Sequence, residues 1–320
     1  MDQLSATLRD RYGQLGITGL RKIGHGLEMR VYRGESAALG PVAIRVPHVR
    51  WLNSGNEDQV DTRPLLRQDF ELSRHLRAHG LPVPEVFVLH ASGPGPDFTI
   101  AQYVESDDSK LADREFGRLI RAIHEIPVPE LRLVCMESHD DADHLLAERI
   151  GDRLKNLAAV TDLGAGFPGI GFPGIGFPDI AEVLAADRDA GLPRRLLHMD
   201  LRPENILVRS GRPVAILDWS NALVGDPALD LARTAEYGSL TPAALAGYGD
   251  SGSFMMPPLA SLASLTSLTS LTSLSPRQAV YRLDTAVMLS HVFLDDAPDE
   301  EKARYYVERT KSLCRLLTGA

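Results

Sequence analysis

The chain has 320 residues, of which 44% are hydrophobic and 24% charged, with a formal net charge of −9. That length supports one large lobe or two modest ones around a substantial core. The acidic balance disfavours nucleic acid as a partner and attracts cationic small molecules. No apolar run approaches the roughly 18 residues that a bilayer span needs. Met1-Asp2-Gln3-Leu4 is not a basic segment followed by an apolar one, so a cytoplasmic protein with no membrane partner is expected. Cys135 and Cys314 are too few and too far apart for a disulfide framework or a metal site and read as buried free thiols. Residues 1–104 hold 12 Lys or Arg against 11 Asp or Glu, and residues 105–320 hold 22 against 32, so the second part carries the negative charge. Much of it lies in runs such as 140–143 and 295–301, which read as solvated faces or helix starts.

A short amphipathic helix is expected over residues 4–15. Residues 20–32 alternate and are interrupted by Gly24 and Gly26, a hairpin whose turn lets backbone N–H groups approach anionic oxygens. The apolar strand 41–47 carries one inward cation, Arg45. Over the helix 65–78, Leu65, Asp69, Leu72 and Leu76 recur at three- and four-residue spacing. They therefore share a face, which turns Asp69 inward and Glu71 outward. His79-Gly80 and the two prolines that follow end this helix. Strands over 85–90 and 98–104 flank the turn Gly93-Pro94-Gly95-Pro96.

The helix 112–126 presents Phe116, Leu119, Ile120 and Ile123 on one face, with His124 satisfying a core hydrogen bond. Another helix covers about 143–160. Residues 166–180 are three near-identical five-residue units, each with a proline, so they form a loop. The loop reads as an expanded surface segment, with a lid over an acceptor as the alternative. Residues 261–275 place Leu at every third position, a stripe that winds around an α-helix instead of holding one face, and no chemistry attaches to them. Helices over 276–294 and 298–317 have apolar faces suited to closing the second lobe.

The chemistry concentrates in His198-Met199-Asp200-Leu201-Arg202-Pro203-Glu204-Asn205 and in Ala215-Ile216-Leu217-Asp218-Trp219. Pro203 keeps the first segment from being a regular helix. Asp218 follows an apolar strand, so two acids and one amide can converge on a single pocket. In the kinase template one Asp accepts the proton of the attacking hydroxyl, while the Asn and a second Asp hold magnesium. The first segment resembles the protein-kinase catalytic loop, with Met199 where that loop has Arg. The run from Ile216 to Ala232, ILDWSNALVGDPALDLA, resembles the aminoglycoside phosphotransferase and choline kinase family of small-molecule kinases. The resemblance extends from the glycine-rich segment near residue 24 to the helix after Asp230.

The resemblance implies an α+β, two-lobed protein-kinase-like fold. Residues 1–104 would form a small antiparallel-sheet N-lobe that binds nucleotide. Residues 105–320 would form a larger, mainly helical C-lobe with the catalytic loop and acceptor pocket. It implies ATP and Mg2+ as cofactors and a small-molecule hydroxyl as acceptor. By the same resemblance Asp200 is the base and Arg202 touches the migrating group. Asn205 and Asp218 bind the metal, and Gly24 and Gly26 cover the phosphates. Backbone around Gln102 to Val104 meets adenine. Arg45 stands where the family has Lys, and a long Arg opposite the short Asp69 spans the gap of the usual Lys–Glu pair. His198, Asp226 and Asp230 are expected to brace the loop and cap a helix. A protein kinase is disfavoured, because no A-P-E segment follows Asp218 and Gly225-Asp226-Pro227 leaves no room for an activation loop. A nucleotide-sensing pseudokinase is the rival from another class. Among acceptors, aminoglycosides lead, with choline-like amines, macrolides, nucleoside antibiotics and amino-alcohol metabolites open. Oligomeric state is not specified.

Overall fold

The computed structural model describes residues 2–26, 28–53, 56, 59–107, 109–139, 141–162, 176–186, 194–249 and 274–319. The first part runs α1 (Asp2–Tyr12), β1 (Ile17–His25), β2 (Met29–Ser36), β3 (Gly40–Pro47), β4 (Trp51–Leu52), β5 (Val60–Asp61), α2 (Thr62–Ala78), β6 (Val86–His90) and β7 (Phe98–Gln102). Five of these strands form one antiparallel sheet in the order β1-β2-β3-β7-β6. Strand alternation sorts the central strand. Val42, Ile44 and Val46 join Tyr32, Phe98, Ile100 and the α1 residues Leu4 and Leu8 in the N-lobe core. Arg45 therefore points to the opposite face, where α2 lies. The Asp61 carboxylate caps α2 by accepting from the Arg63 N–H.

The second part contains α3 (Asp113–Glu125), α4 (Ala142–Asp162), α5 (Ile180–Ala186), β8 (Arg195–Leu197), β9 (Ile206–Arg209), β10 (Arg212–Ile216), β11 (Leu223–Gly225), α6 (Pro227–Glu236), α7 (Pro242–Gly249), α8 (Pro276–His291) and α9 (Glu300–Thr318). Strands β9 and β10 form a hairpin, and β8 pairs with β11, so both loops that carry the candidate site leave from short ladders. Helices α3 and α7 cross closely at two glycines. A Cβ on Gly117 would lie 1.8 Å from the Ala244 carbonyl oxygen, and one on Gly247 would lie 2.0 Å from that of Arg114. Helix α8 is buried on nearly every side. The segment linking the lobes is tied down by the Asp107 N–H to the Val208 carbonyl (2.9 Å). No helix among the described residues is long and apolar enough to cross a membrane.

The two-lobed α+β expectation holds, with small shifts at element ends. The strand expected over 98–104 stops at Gln102: the Tyr103 N–H still donates to the Pro41 carbonyl, but Pro41 has no N–H to return the bond. The helix expected over 276–294 ends at His291 and continues as a π-type turn, Val292–Asp296. α8 is also a central strut more than a lid on the lobe: it carries Arg277, Arg282 and Asp284 inside the protein, each facing an opposite charge. Of the first repeat, residues 176–179 are irregular and Ile180 opens α5, while 166–175 lie outside the described residues. Residues 261–273 of the second repeat lie outside them too, and Ser275 caps α8 with a reciprocal Gln278 bond. Cys314 is buried and Cys135 half-buried, and neither forms a disulfide.

Candidate active site

The segment 198–205 is shaped by a ring and a carboxylate. The buried Asp230 accepts from the backbone N–H groups of His198 (3.0 Å) and Met199 (2.9 Å) and contacts His124 Nε2 (3.1 Å). Burial opposes ionisation of Asp230, but the hydrogen bond and charge of His124 outweigh it and hold the carboxyl below its usual range. His198 Nδ1 accepts the Asp200 N–H (3.2 Å) and Nε2 donates to the Leu217 carbonyl (3.0 Å). Burial lowers the pKa of this imidazole, so it works as a neutral strut between the loops of Asp200 and Asp218. Asp226 accepts the Ala228 N–H and caps α6. These three residues do what the sequence assigns them.

Met199 takes a left-handed backbone conformation (φ 63°), which turns the chain sharply between His198 and Asp200. A short 3-10 turn, Pro203–Asn205, then folds Asn205 back. Asn205 Nδ2 donates to the Asp200 carbonyl and to Asp200 Oδ2, both at 2.8 Å. The other carboxylate oxygen, Oδ1, accepts the Tyr237 hydroxyl (2.7 Å), and Arg202 Nε lies 3.5 Å from it. Arg202 is 45% exposed, so its guanidinium is free to swing toward a bound group. The Leu217 N–H donates to the Asn205 carbonyl (2.8 Å) and joins the two loops. Asp218 is also left-handed (φ 64°), and its Oδ1 accepts from Ser220 Oγ at 3.1 Å.

The cation expected on β3 does meet the acid expected on α2. Arg45 Nη1 donates to Asp69 Oδ2 at 2.7 Å, and Nη2 lies 3.5 Å from Asp218 Oδ1. The charge of Asp69 raises the Arg45 pKa, with burial opposing and Asp218 adding to the rise. Next to Asp69, the buried Gln68 donates through Nε2 to the carbonyls of Trp219 (2.7 Å) and Ser220 (3.2 Å) and accepts the Val134 N–H at Oε1 (2.7 Å). One helix thus holds both the guanidinium and the loop that bears Asp218.

Gly24, Gly26, Gln102 and Val104 touch none of these side chains directly. Gly24 lies on β1 and Gly26 just after it, with β2 between them and β3, while Gln102 ends β7, which pairs with β3, and Val104 follows it. A Cβ on Gly24 or Gly26 would meet its nearest neighbour at 3.5 or 3.7 Å, an ordinary contact, so the protein's own packing does not demand glycine at either position. The Gly26 N–H is already bonded to the Met29 carbonyl (2.9 Å). That amide closes the turn. The Gln102 N–H donates to the Glu85 carbonyl (2.8 Å), whereas the Val104 N–H has no partner among the described residues. Asn205 Oδ1 and Asp218 Oδ2 likewise accept nothing among the described residues, because Nδ2 and Oδ1 take the protein contacts. These are two hard oxygens of the kind that magnesium takes, completing its shell with phosphate and water. Among the described residues no three His, Cys, Asp or Glu side chains gather as a metal cage.

The sequence reading missed Gln68, Arg233 and Tyr237. A signal existed for the last two: Asp230, Arg233 and Tyr237 fall at three-, four- and seven-residue intervals and so share a face of α6 and the residue after it.

A small antiparallel sheet over a helical lobe, with an Asp–Asn loop facing an Asp–Arg pair, defines a kinase-like phosphotransferase. Residues 19–262 match the model of the phosphotransferase enzyme family, so the chain belongs to that family. No curated protein matches it in sequence. Among solved structures it is similar to aminoglycoside phosphotransferase APH(4)-Ia in ternary complex with AMP-PNP and hygromycin B, with a TM-score of 0.63, 15% identity and 100% of each chain covered. It is similar to macrolide 2′-phosphotransferase type I, with a TM-score of 0.57, 18% identity and 97% and 96% of the two chains covered. The GDP complex of aminoglycoside 2′-phosphotransferase-IIIa gives a TM-score of 0.55 at 16% identity, covering 99% and 98%.

Proposed function

We propose that this protein transfers the γ-phosphoryl group of ATP to a hydroxyl of a small molecule, as a cytoplasmic enzyme. The observation that carries the proposal is the joined constellation Asn205–Asp200 and Asp69–Arg45–Asp218, in which the loop of Asp200 and Asn205 and the loop of Asp218 are held together through Leu217 and His198. Residues 1–104 would bind the nucleotide, the Val104 N–H meeting adenine and the turn of Gly24 and Gly26 covering the phosphates. Residues 105–320 would bring the base and the acceptor. Arg45, held by Asp69, would pair with phosphate oxygens. Asn205 and Asp218 would hold magnesium, which when bound neutralises phosphate charge.

In the transfer the acceptor oxygen forms a bond to the γ-phosphorus, and the bond from that phosphorus to the bridging oxygen of ADP breaks. The acceptor's proton passes to Asp200. Arg202 would follow the migrating group, since the reaction is mostly positioning and charge neutralisation. As acceptor we infer an aminoglycoside-like antibiotic, which would make the protein a resistance enzyme. The family resemblance and the neighbours named for aminoglycosides and macrolides support this. Phosphate release and ADP formation, measured with aminoglycosides, macrolides, nucleoside antibiotics and amino alcohols, test the proposal. The wild type should consume ATP with at least one acceptor, and Asp200→Asn should bind nucleotide without turnover. Nucleotide binding with no ATP consumption by either protein would instead favour a sensor, the reading that Arg in place of Lys suggests.

A further inference from the structure

The base is reached by a buried chain of charged and polar groups that the transfer chemistry does not call on. Tyr237, just after α6, donates its hydroxyl to Asp200 Oδ1 (2.7 Å) and accepts from Arg233 Nε (3.1 Å). Burial raises the pKa of this phenol, so it stays an O–H donor. Arg233 Nη1 lies 3.6 Å from Asp284 Oδ2 on α8. Asp284 is fully buried and is gripped by Arg149 through both oxygens (2.7 and 2.6 Å) and by Arg153 at 3.1 Å. Burial opposes ionisation of Asp284, yet the three guanidiniums keep it below the usual carboxylate range.

Three guanidiniums thus surround the one acid. Arg233 spans the distance from that cluster to the phenol of Tyr237. A tyrosine that only filled space at the edge of the helix would not need both a carboxylate acceptor and a guanidinium donor. Hydrogen-bond chains of this kind polarise their members and fix their geometry. At Asp200 the result is a carboxylate held at both oxygens, Oδ2 by Asn205 and Oδ1 by Tyr237. Its rotation about the Cβ–Cγ bond is thereby set before any acceptor arrives.

We propose that Tyr237 is a positioning residue for the base: with Arg233 and Asp284 behind it, it fixes the plane of the Asp200 carboxylate so that one lone pair faces the acceptor hydroxyl. The proposal rests on the base role assigned to Asp200 above. Groups that orient a functional side chain typically contribute about 10- to 100-fold to activity. Tyr237→Phe keeps the ring and removes only the hydroxyl. It should lower kcat by about that factor, with KM for acceptor and ATP within about twofold of wild type. Arg233→Lys, which keeps the charge but loses the planar donor, should give a smaller fall of the same kind.

A crystal structure of Tyr237→Phe should show the Asp200 carboxylate rotated or in two orientations. An unmoved carboxylate, an unchanged kcat, or a loss that appears only as raised KM with lowered thermal stability overturns the proposal. Should Tyr237→Phe fail to fold, the same measurements on Arg233→Lys decide. Should the wild type consume no ATP with any acceptor or with water, the kinase reading fails by itself. The carboxylate orientation in the variant crystal then still decides this one.

Discussion

Arg45 and Asp69 should behave as one unit, and their lengths predict how. The contact is a charge-assisted hydrogen bond of 2.7 Å between side chains that are 22% and 18% exposed. Such a bond is worth roughly 1.5–3 kcal/mol, and the residual exposure places this one toward the lower end, about 1.5 kcal/mol, or tenfold in an equilibrium or rate. Arg45→Lys shortens the cation and takes away the second guanidinium nitrogen that lies near Asp218. It should lower kcat/KM for ATP about 10- to 30-fold. Asp69→Glu, alone, pushes a longer acid into the same gap and should cost about fivefold. Combined, the short cation and long acid span the gap again. The double variant should then return to within about fivefold of wild type, a coupling of roughly 1–2 kcal/mol. Steady-state kinetics and nucleotide affinity for the four proteins measure this directly. Multiplicative losses in the double variant would refute the idea that the pair acts together, and Arg45 would then hold phosphate independently of Asp69.

Gln68→Leu removes three hydrogen bonds that tie α2 to Trp219, Ser220 and Val134. Denaturant unfolding should show a loss of about 2–4 kcal/mol, and magnesium-dependent nucleotide affinity should fall because the Asp218 loop loses its anchor. His291 is buried, donates to the Arg153 carbonyl (2.9 Å) and faces the charges of Arg153 and Asp295, with burial the main cause of its lowered pKa. Its neutral form is native, so the unfolded chain alone takes up a proton as pH falls below the unfolded value of 6.5. Stability should therefore be present above that pH and decline below it, by at most about 1.4 kcal/mol per pH unit for this group. Urea unfolding near pH 7 and near pH 5.5 should show a smaller pH dependence in His291→Gln than in the wild type, and an equal dependence would count against it.

Local patterns carried the parts of this molecule whose partners are set by local geometry. The inward turn of Asp69 follows from helical spacing against Leu65, Leu72 and Leu76, and the opposite faces of Ile44 and Arg45 follow from strand alternation. Parts that depend on distant partners were not legible. Gln68 sits at the border of an amphipathic face, where a polar residue reads as solvent-facing, and its partners lie 66, 151 and 152 residues away. The buried charges of α8 were not legible either, because nothing local announces their partners, Asp143, Arg149 and Arg153 on α4 and Arg233 and Glu236 on α6. Tyr237 shares a face with Asp230 and Arg233, but only the folded chain shows that this face looks onto Asp200. At the turn of Gly24 and Gly26 the sequence showed a glycine-rich hairpin, but not that the Gly26 amide closes it on the Met29 carbonyl.

The left-handed backbones of Met199 and Asp218 set stability against activity at two addresses in the chain. Each conformation disfavours a side-chain-bearing residue by roughly 1–2 kcal/mol relative to glycine. Glycine would relieve it, yet at 199 it would empty a buried volume, and at 218 it would delete a carboxylate. A library of variants enriched for heat tolerance alone should therefore accumulate Asp218→Gly and drift toward inert proteins. Selection on turnover should keep the strained aspartate and find its stabilising changes elsewhere.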